Sequence, residues 1–157
     1  MTGGREVFRL VLRVQPMAWK RARRNRERYF TEPAMASYQR LVQVEAMRQL
    51  GQRDLQGALQ ARMVFGLAIP KSWRLRRIRD ALDGLVPHSD KPDADNLAKM
   101  VLDALQGGLY YDDAHFCGIE VHKVWSLKPF VLIEIWQVAE QKNILQEALA
   151  ICESSDA

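Results

Sequence analysis

The sequence has little cysteine and no long hydrophobic run. Its two cysteines, Cys117 and Cys152, lie far apart with no further thiol near either, so neither a disulfide framework nor a zinc site is expected. No apolar stretch approaches the roughly 20 residues that span a bilayer. The N-terminal MTGGREVFRL also lacks the long apolar core of a signal peptide. We therefore expect reduced thiols and a cytoplasmic protein.

Internal repeats, low-complexity segments and a disordered composition are absent as well. Hydrophobic residues make up 48% of the chain and charged residues 27%, values typical of a folded globular protein. A length of 157 residues suffices for one domain with a buried core but not for two domains of ordinary size. We expect a single compact domain.

The net charge of +4 hides a strong local asymmetry. The segments 20–28 and 71–79 each carry +5, which leaves −6 for all other residues. Exposed helix faces often carry such runs, and this is the structural alternative for either segment alone. Two basic segments around one acidic stretch instead favour a polyanionic partner, most simply nucleic acid. The candidate contacts in them are Lys20, Arg21, Arg23, Arg24, Arg26, Arg74, Arg76 and Arg77.

Alternation of apolar residues with period two predicts four strands. They cover about residues 6–14, 61–70, 116–125 and 130–138. The last is continuously apolar, which favours a central position in the sheet.

Helical periodicity predicts helices between these strands. The first begins near Thr31 to Pro33 and ends at Gly51, and a short one follows Ser72. A third begins near Asp93 to Asp95, and a terminal one, after Ala139, packs on the sheet or on a partner subunit. The segment 17–30 shows no period and is predicted to be a loop. The fold class is therefore α+β, a small mixed sheet of about four strands flanked by helices, with a C-terminal helical extension.

An acidic cluster occupies residues 91–113. At helical spacing Asp95, Lys99 and Asp103 project from one side, so an N-cap and an ion-pair ladder on the surface would explain part of it. That alternative does not account for Asp93, nor for the pair Asp112 and Asp113 beyond the helix. Carboxylates framed by arginines favour a metal that meets phosphate.

The run from His88 to Lys123 resembles the signature of the RusA family of Holliday-junction resolvases. The resemblance rests on a DxDN pair, a lysine on the following helix, a DAL turn, a DD pair and a strand that ends in lysine. These elements occur here in order as Asp93, Asp95 and Asn96, then Lys99, Asp103 to Leu105, Asp112 with Asp113, and Lys123. The weaker resemblance elsewhere extends from about Phe8 to Val138. We therefore assign residues 1–138 to an endonuclease domain and 139–157 to a helical tail, part of the same domain or of a dimer interface.

The resemblance implies a homodimer that binds four-way DNA junctions and cuts two opposing strands with Mg²⁺, for which Mn²⁺ should substitute, in recombination and repair. It implies metal binding by Asp93, Asp95 and Asp113, with Asp112 as a further candidate. Lys99 would join these three acids in catalysis, and Lys123 would contact DNA. Mg²⁺ suits this set because it prefers oxygen ligands and retains waters.

Two alternatives remain open at the level of sequence. The chain could bind DNA junctions without cutting them, although the intact acid set argues against this. It could also be a metal-dependent nuclease for flaps, forks or RNA. Assays of Mg²⁺-dependent nicking on a panel of substrates separate these functions.

Reversing the charges of Arg21 and Arg23 should weaken binding to branched DNA and flatten its salt dependence, because each phosphate contact releases counterions. Binding titrations across a salt series measure both effects. An unchanged salt slope would remove this segment from the DNA interface.

Overall fold

A computed structural model of the chain describes residues 6–21, 23–25, 28–30 and 32–155. Within them no helix is both long and apolar enough to cross a membrane. The elements in chain order are β1 (Phe8–Leu12), β2 (Arg23–Asn25), β3 (Arg28–Phe30), α1 (Pro33–Leu50), β4 (Leu59–Ala68), α2 (Leu75–Leu82), α3 (Ala94–Leu105), β5 (Phe116–Ser126), β6 (Phe130–Gln137) and α4 (Lys142–Ser155).

The main sheet has the strand order β1-β6-β4-β5. Strands β4 and β5 are parallel, while β6 is antiparallel to both of its neighbours, β1 and β4. The predicted α+β class with a four-stranded mixed sheet is thus confirmed. The continuously apolar strand, β6, lies inside the sheet as its composition indicated.

Alternation along the strands gives the sheet one core face and one polar face. Met63 on β4 pairs with Ile133 on β6, and both side chains are buried. On the opposite face Glu134 accepts from Arg9 at 2.9 Å and from Arg62 at 3.3 Å. Antiparallel sheets commonly expose one face in this way.

Helix α3 packs against α1 in the core that covers the apolar face. Leu97, Met100 and Val101 are fully buried, as expected for a helix with a broad apolar side. Beyond its end, the Tyr110 hydroxyl donates to the Leu102 carbonyl at 2.6 Å. Burial raises the pKa of Tyr110, and Asp113 adds a further rise, so the phenol remains protonated. Tyr110 therefore fixes the turn between α3 and β5.

The basic segment 17–30 is not wholly a loop, and the prediction was wrong on this point. Strands β2 and β3 pair antiparallel there, with Arg23 opposite Phe30. Short strands of arginine and aromatic residues carry no apolar alternation, which explains why periodicity missed them. Arg26 and the predicted capping residue Thr31 lie outside the described residues.

Helix α2 begins later than predicted. Its N-cap is Arg74 instead of Ser72, and its apolar stripe is largely uncovered, with Leu75 80% and Leu82 48% exposed. Helical periodicity identified the helix correctly but does not show which face is buried. Leu41 on α1, predicted to be core, is likewise exposed.

The predicted terminal helix is present as α4, yet its side chains are exposed wherever the structure describes them. The apolar side formed by Ile144, Leu145 and Leu149 is therefore uncovered, and the expected packing on the sheet is not seen. The alternative, packing on a partner subunit, stays a prediction, as does the division of the chain after residue 138.

Replacing Gly66 by Ala should lower the free energy of unfolding by about 1–3 kcal/mol. The added Cβ would collide with the Phe130 ring on the neighbouring strand. Gly118 on β5 is the matched control, because a Cβ there meets only the flexible Gln60 side chain at 3.1 Å. Urea denaturation compares the variants, and equal losses would contradict this account of Gly66.

Candidate active site

The N-terminal end of α3 holds two of the predicted acids, Asp93 and Asp95. Asp93 is the N-cap residue, but its side chain accepts no capping hydrogen bond from the helix backbone. It pairs instead with the Lys91 ammonium at 2.6 Å, and it is 46% exposed. An ordinary N-cap aspartate accepts a hydrogen bond from a backbone N–H of the first helical turn. Because Asp93 makes no such bond and is partly exposed, its carboxylate is accessible to solvent and ligands.

The environment keeps Asp93 ionised. The hydrogen bond from Lys91 holds the pKa of Asp93 below its usual range, with smaller contributions from the Lys123 charge and the Asn96 side chain. Asn96 also contacts the second acid, since its backbone N–H donates to the Asp95 carboxylate at 2.8 Å. The positive end of the helix dipole also stabilises the Asp93 anion. Asn96 thus contacts both acids.

Lys99 lies one turn further along α3. Its ammonium is 3.2 Å from Asp103, one turn on, so the predicted ion-pair ladder is partly formed. The same ammonium stands 5.0 Å from the centre of the Trp19 ring. The Trp19 backbone N–H donates to the Asn96 carbonyl at 2.8 Å. The chain at Trp19, four residues before β2, therefore lies directly beside α3.

The second basic segment is attached to the same region through contacts between aromatic rings. Trp73, just before α2, contacts Trp125 on β5 with ring centres 4.7 Å apart. Trp125 in turn stacks with His88, ring centre to ring centre 3.9 Å, in the loop that leads to Asp93. On the outside, the Arg77 guanidinium covers Trp73 at 3.9 Å. Arg74, Arg76 and Arg77 are all exposed.

The other predicted acids lie towards the opposite end of α3. Asp113 and Asp103 both act on the buried Tyr110, and eight residues of helix from Asp95 to Asp103 correspond to about 12 Å. Among the residues that the structure describes, no three His, Cys, Asp or Glu side chains are grouped so as to hold a metal. One chain thus brings Asp93 and Asp95 together but does not bring Asp113 to them.

Asp112 has a visible structural task. Its carboxylate accepts from the Ala114 backbone N–H at 2.9 Å and caps the short 3₁₀ turn Asp113–His115. This bond is the main cause of a lowered pKa at Asp112, followed by a hydrogen bond with Asp113. The Asp113 side chain is left at the surface of this turn.

Sequence reasoning missed two lysine contacts in the site. Lys91 neutralises Asp93, and its position two residues earlier was the available signal. Lys123, whose contact with DNA stays a prediction, donates to the carbonyls of Asp90 and Pro92 at 2.7 and 2.9 Å. No local sequence pattern predicts this contact, because Lys123 and Pro92 are 31 residues apart in the chain.

An α+β domain that holds carboxylates at one helix end, with two basic segments attached nearby, has features expected of a nuclease. The family described as Endodeoxyribonuclease RusA matches residues 12–136. The chain belongs to the RusA endodeoxyribonuclease family. It is also 29% identical over 131 residues to a Bacillus subtilis (strain 168) protein called Uncharacterized protein YqaN, covering 80% of this chain and 92% of that protein.

Replacing Lys91 by Met should raise the pKa of Asp93 towards its ordinary value, because the main stabilising partner of the carboxylate is removed. A depressed native pKa stabilises the folded state above the unfolded pKa, and this stabilisation is lost as pH falls through the native value. Carboxyl NMR titration measures the shift. Lys99→Met is the control, since Lys99 pairs with Asp103; an equal shift there would refute the assignment.

Proposed function

We propose that this chain is a Mg²⁺-dependent, structure-selective endonuclease that resolves four-way DNA junctions in recombination and repair. One observation carries the proposal. The two basic segments, although about 50 residues apart in sequence, both attach beside the end of α3 where Asp93 and Asp95 lie. A DNA backbone held by these cations would be presented to the carboxylates.

The donor set of Asp93 and Asp95 fits Mg²⁺. This ion typically binds one or two carboxylates together with waters and substrate phosphate. Asp93 is ionised and partly exposed, and Asp95 is exposed, so a metal ion could reach both carboxylate groups. When bound, the metal would stabilise negative charge developing on the phosphate. The Lys91 ammonium, which forms an ion pair with Asp93, would have to move away from the carboxylate when the metal binds.

In this proposal Lys99 would bind the phosphate held by the basic segments. Its ammonium has three N–H donors, and Asp103 occupies one side while the Trp19 ring covers another. These two contacts orient the charge without burying it, since Lys99 remains exposed. A fixed cation at this point would stabilise charge on the scissile phosphate.

We further propose that the active form is a homodimer. A four-way junction has near two-fold symmetry, so two related subunits would present equivalent acids to opposing strands. In one chain Asp113 lies with Asp103, away from Asp93. Its predicted role as a ligand therefore requires a shift of the turn after α3, or a second subunit that supplies it.

Cleavage of a mobile four-way junction with and without Mg²⁺ tests the function, with linear duplex, flap and fork substrates alongside. Asp93→Asn should retain junction binding and lose on the order of 1,000-fold in cleavage rate, since metal stabilisation supplies several kcal/mol. Asp54→Asn, an exposed acid near the other end of α3, should cleave normally. Equal cleavage of flaps would redefine the substrate.

Mixed subunits test the place of Asp113. If one site draws acids from two chains, combining Asp93→Asn with Asp113→Asn subunits should restore one intact site per dimer. Nicking by the mixture, measured on a supercoiled cruciform substrate, would then exceed that of either variant alone. No recovery in a verified mixed dimer would place the acids of each site in one subunit.

A further inference from the structure

We propose that Lys123 is a positioning residue. Together with the stacked pair His88 and Trp125, it would hold in place the loop 88–92, which leads directly to Asp93. The inference deepens the proposed function and rests on it only for the role of Asp93 as a metal ligand. It replaces the expectation that Lys123 contacts DNA.

The position of Lys123 on its strand is unusual for a DNA-binding lysine. It pairs in register with Phe65, and the flanking inward residues of β5 pair with Met63 and Leu67, all three buried. Lys123 therefore points to the helix-covered face, and it is half-buried. A lysine there must find acceptors, because burying an unpaired ammonium is costly.

The acceptors that Lys123 finds are backbone carbonyls of the loop. Its ammonium donates to Asp90 at 2.7 Å and to Pro92 at 2.9 Å. The Pro92 carbonyl belongs to the peptide group that joins Asp93, so this bond fixes the backbone where the acid begins. Charged donors make stronger hydrogen bonds than neutral ones.

Ring stacking fixes the start of the same loop. His88 is 8% exposed, and its ring lies 3.9 Å from that of Trp125, two residues beyond Lys123 on β5. Desolvation, followed by the nearby Lys123 charge, lowers the pKa of His88. The loop is thus held at both ends by neighbouring residues of one strand, while Lys91 and the Asp93 carboxylate extend outwards.

The two roles for Lys123 predict different losses. As a phosphate contact, its removal would weaken DNA binding and reduce the salt slope by about one ion per phosphate. As a clamp, its removal would leave metal-free binding intact and loosen the loop. Supporting residues around a metal site typically contribute 10–100-fold to metal affinity or activity.

The experiment compares the full chain with Lys123→Met and with Lys128→Met, an exposed lysine in the turn between β5 and β6. We expect Lys123→Met to bind a four-way junction in EDTA with unchanged affinity and salt slope. Hydrogen exchange at the amides of residues 88–95 should accelerate roughly tenfold, and the Mg²⁺ concentration for half-maximal cleavage should rise about tenfold or more. Lys128→Met should change neither loop exchange nor Mg²⁺ requirement.

Lys123→Arg keeps the charge and should restore much of the exchange protection, which a variant that merely fails to fold would not allow. A reduced salt slope with unchanged loop exchange in Lys123→Met would overturn the clamp. Hydrogen exchange also tests the clamp independently of the proposed nuclease function. If the wild-type chain cleaves no junction while Lys123→Met still loosens the loop, the clamp stands and the proposed nuclease function falls.

Discussion

The parallel pairing of β4 and β5 is the constraint on which the site depends. Parallel neighbours cannot be joined by a tight turn and require a crossover connection. Here the crossover contains α2, the loop 88–92, α3 and the turn with Asp113. Its basic helix and its acids therefore lie along the β5 edge, where Trp125 and Lys123 hold the connection against the strand.

Positive and negative charges occupy separate places around this crossover. Exposed cations lie on and beside α2 and at Lys20 and Arg21, which follow Trp19 in the chain. The acids Asp93 and Asp95 lie between them at the positive end of α3, where the helix dipole favours anions. The surrounding cations would attract a polyanion. The two carboxylates would repel it unless a bound metal cation offset their negative charge.

The sequence predicted elements better than it predicted contacts. The limits of α3 followed from Pro92 and Gly107, and the central place of β6 from its unbroken apolar run. Periodicity does not reveal what covers a stripe, so the exposure of Leu75 was not foreseen. The contacts of Lys123 with Pro92 and of Trp19 with Asn96 join distant segments. They depend on packing that no local pattern records.

Strand β5 is also an edge of the sheet, with 11 residues and no neighbour on its outer side within the described chain. Long edge strands invite pairing with other chains and thus aggregation, and natural sheets avoid this with inward-pointing charges. Lys123 is such a charge, and Glu120 and His122 place polar groups on the other face. Lys123 would therefore also oppose aggregation through the exposed edge of β5.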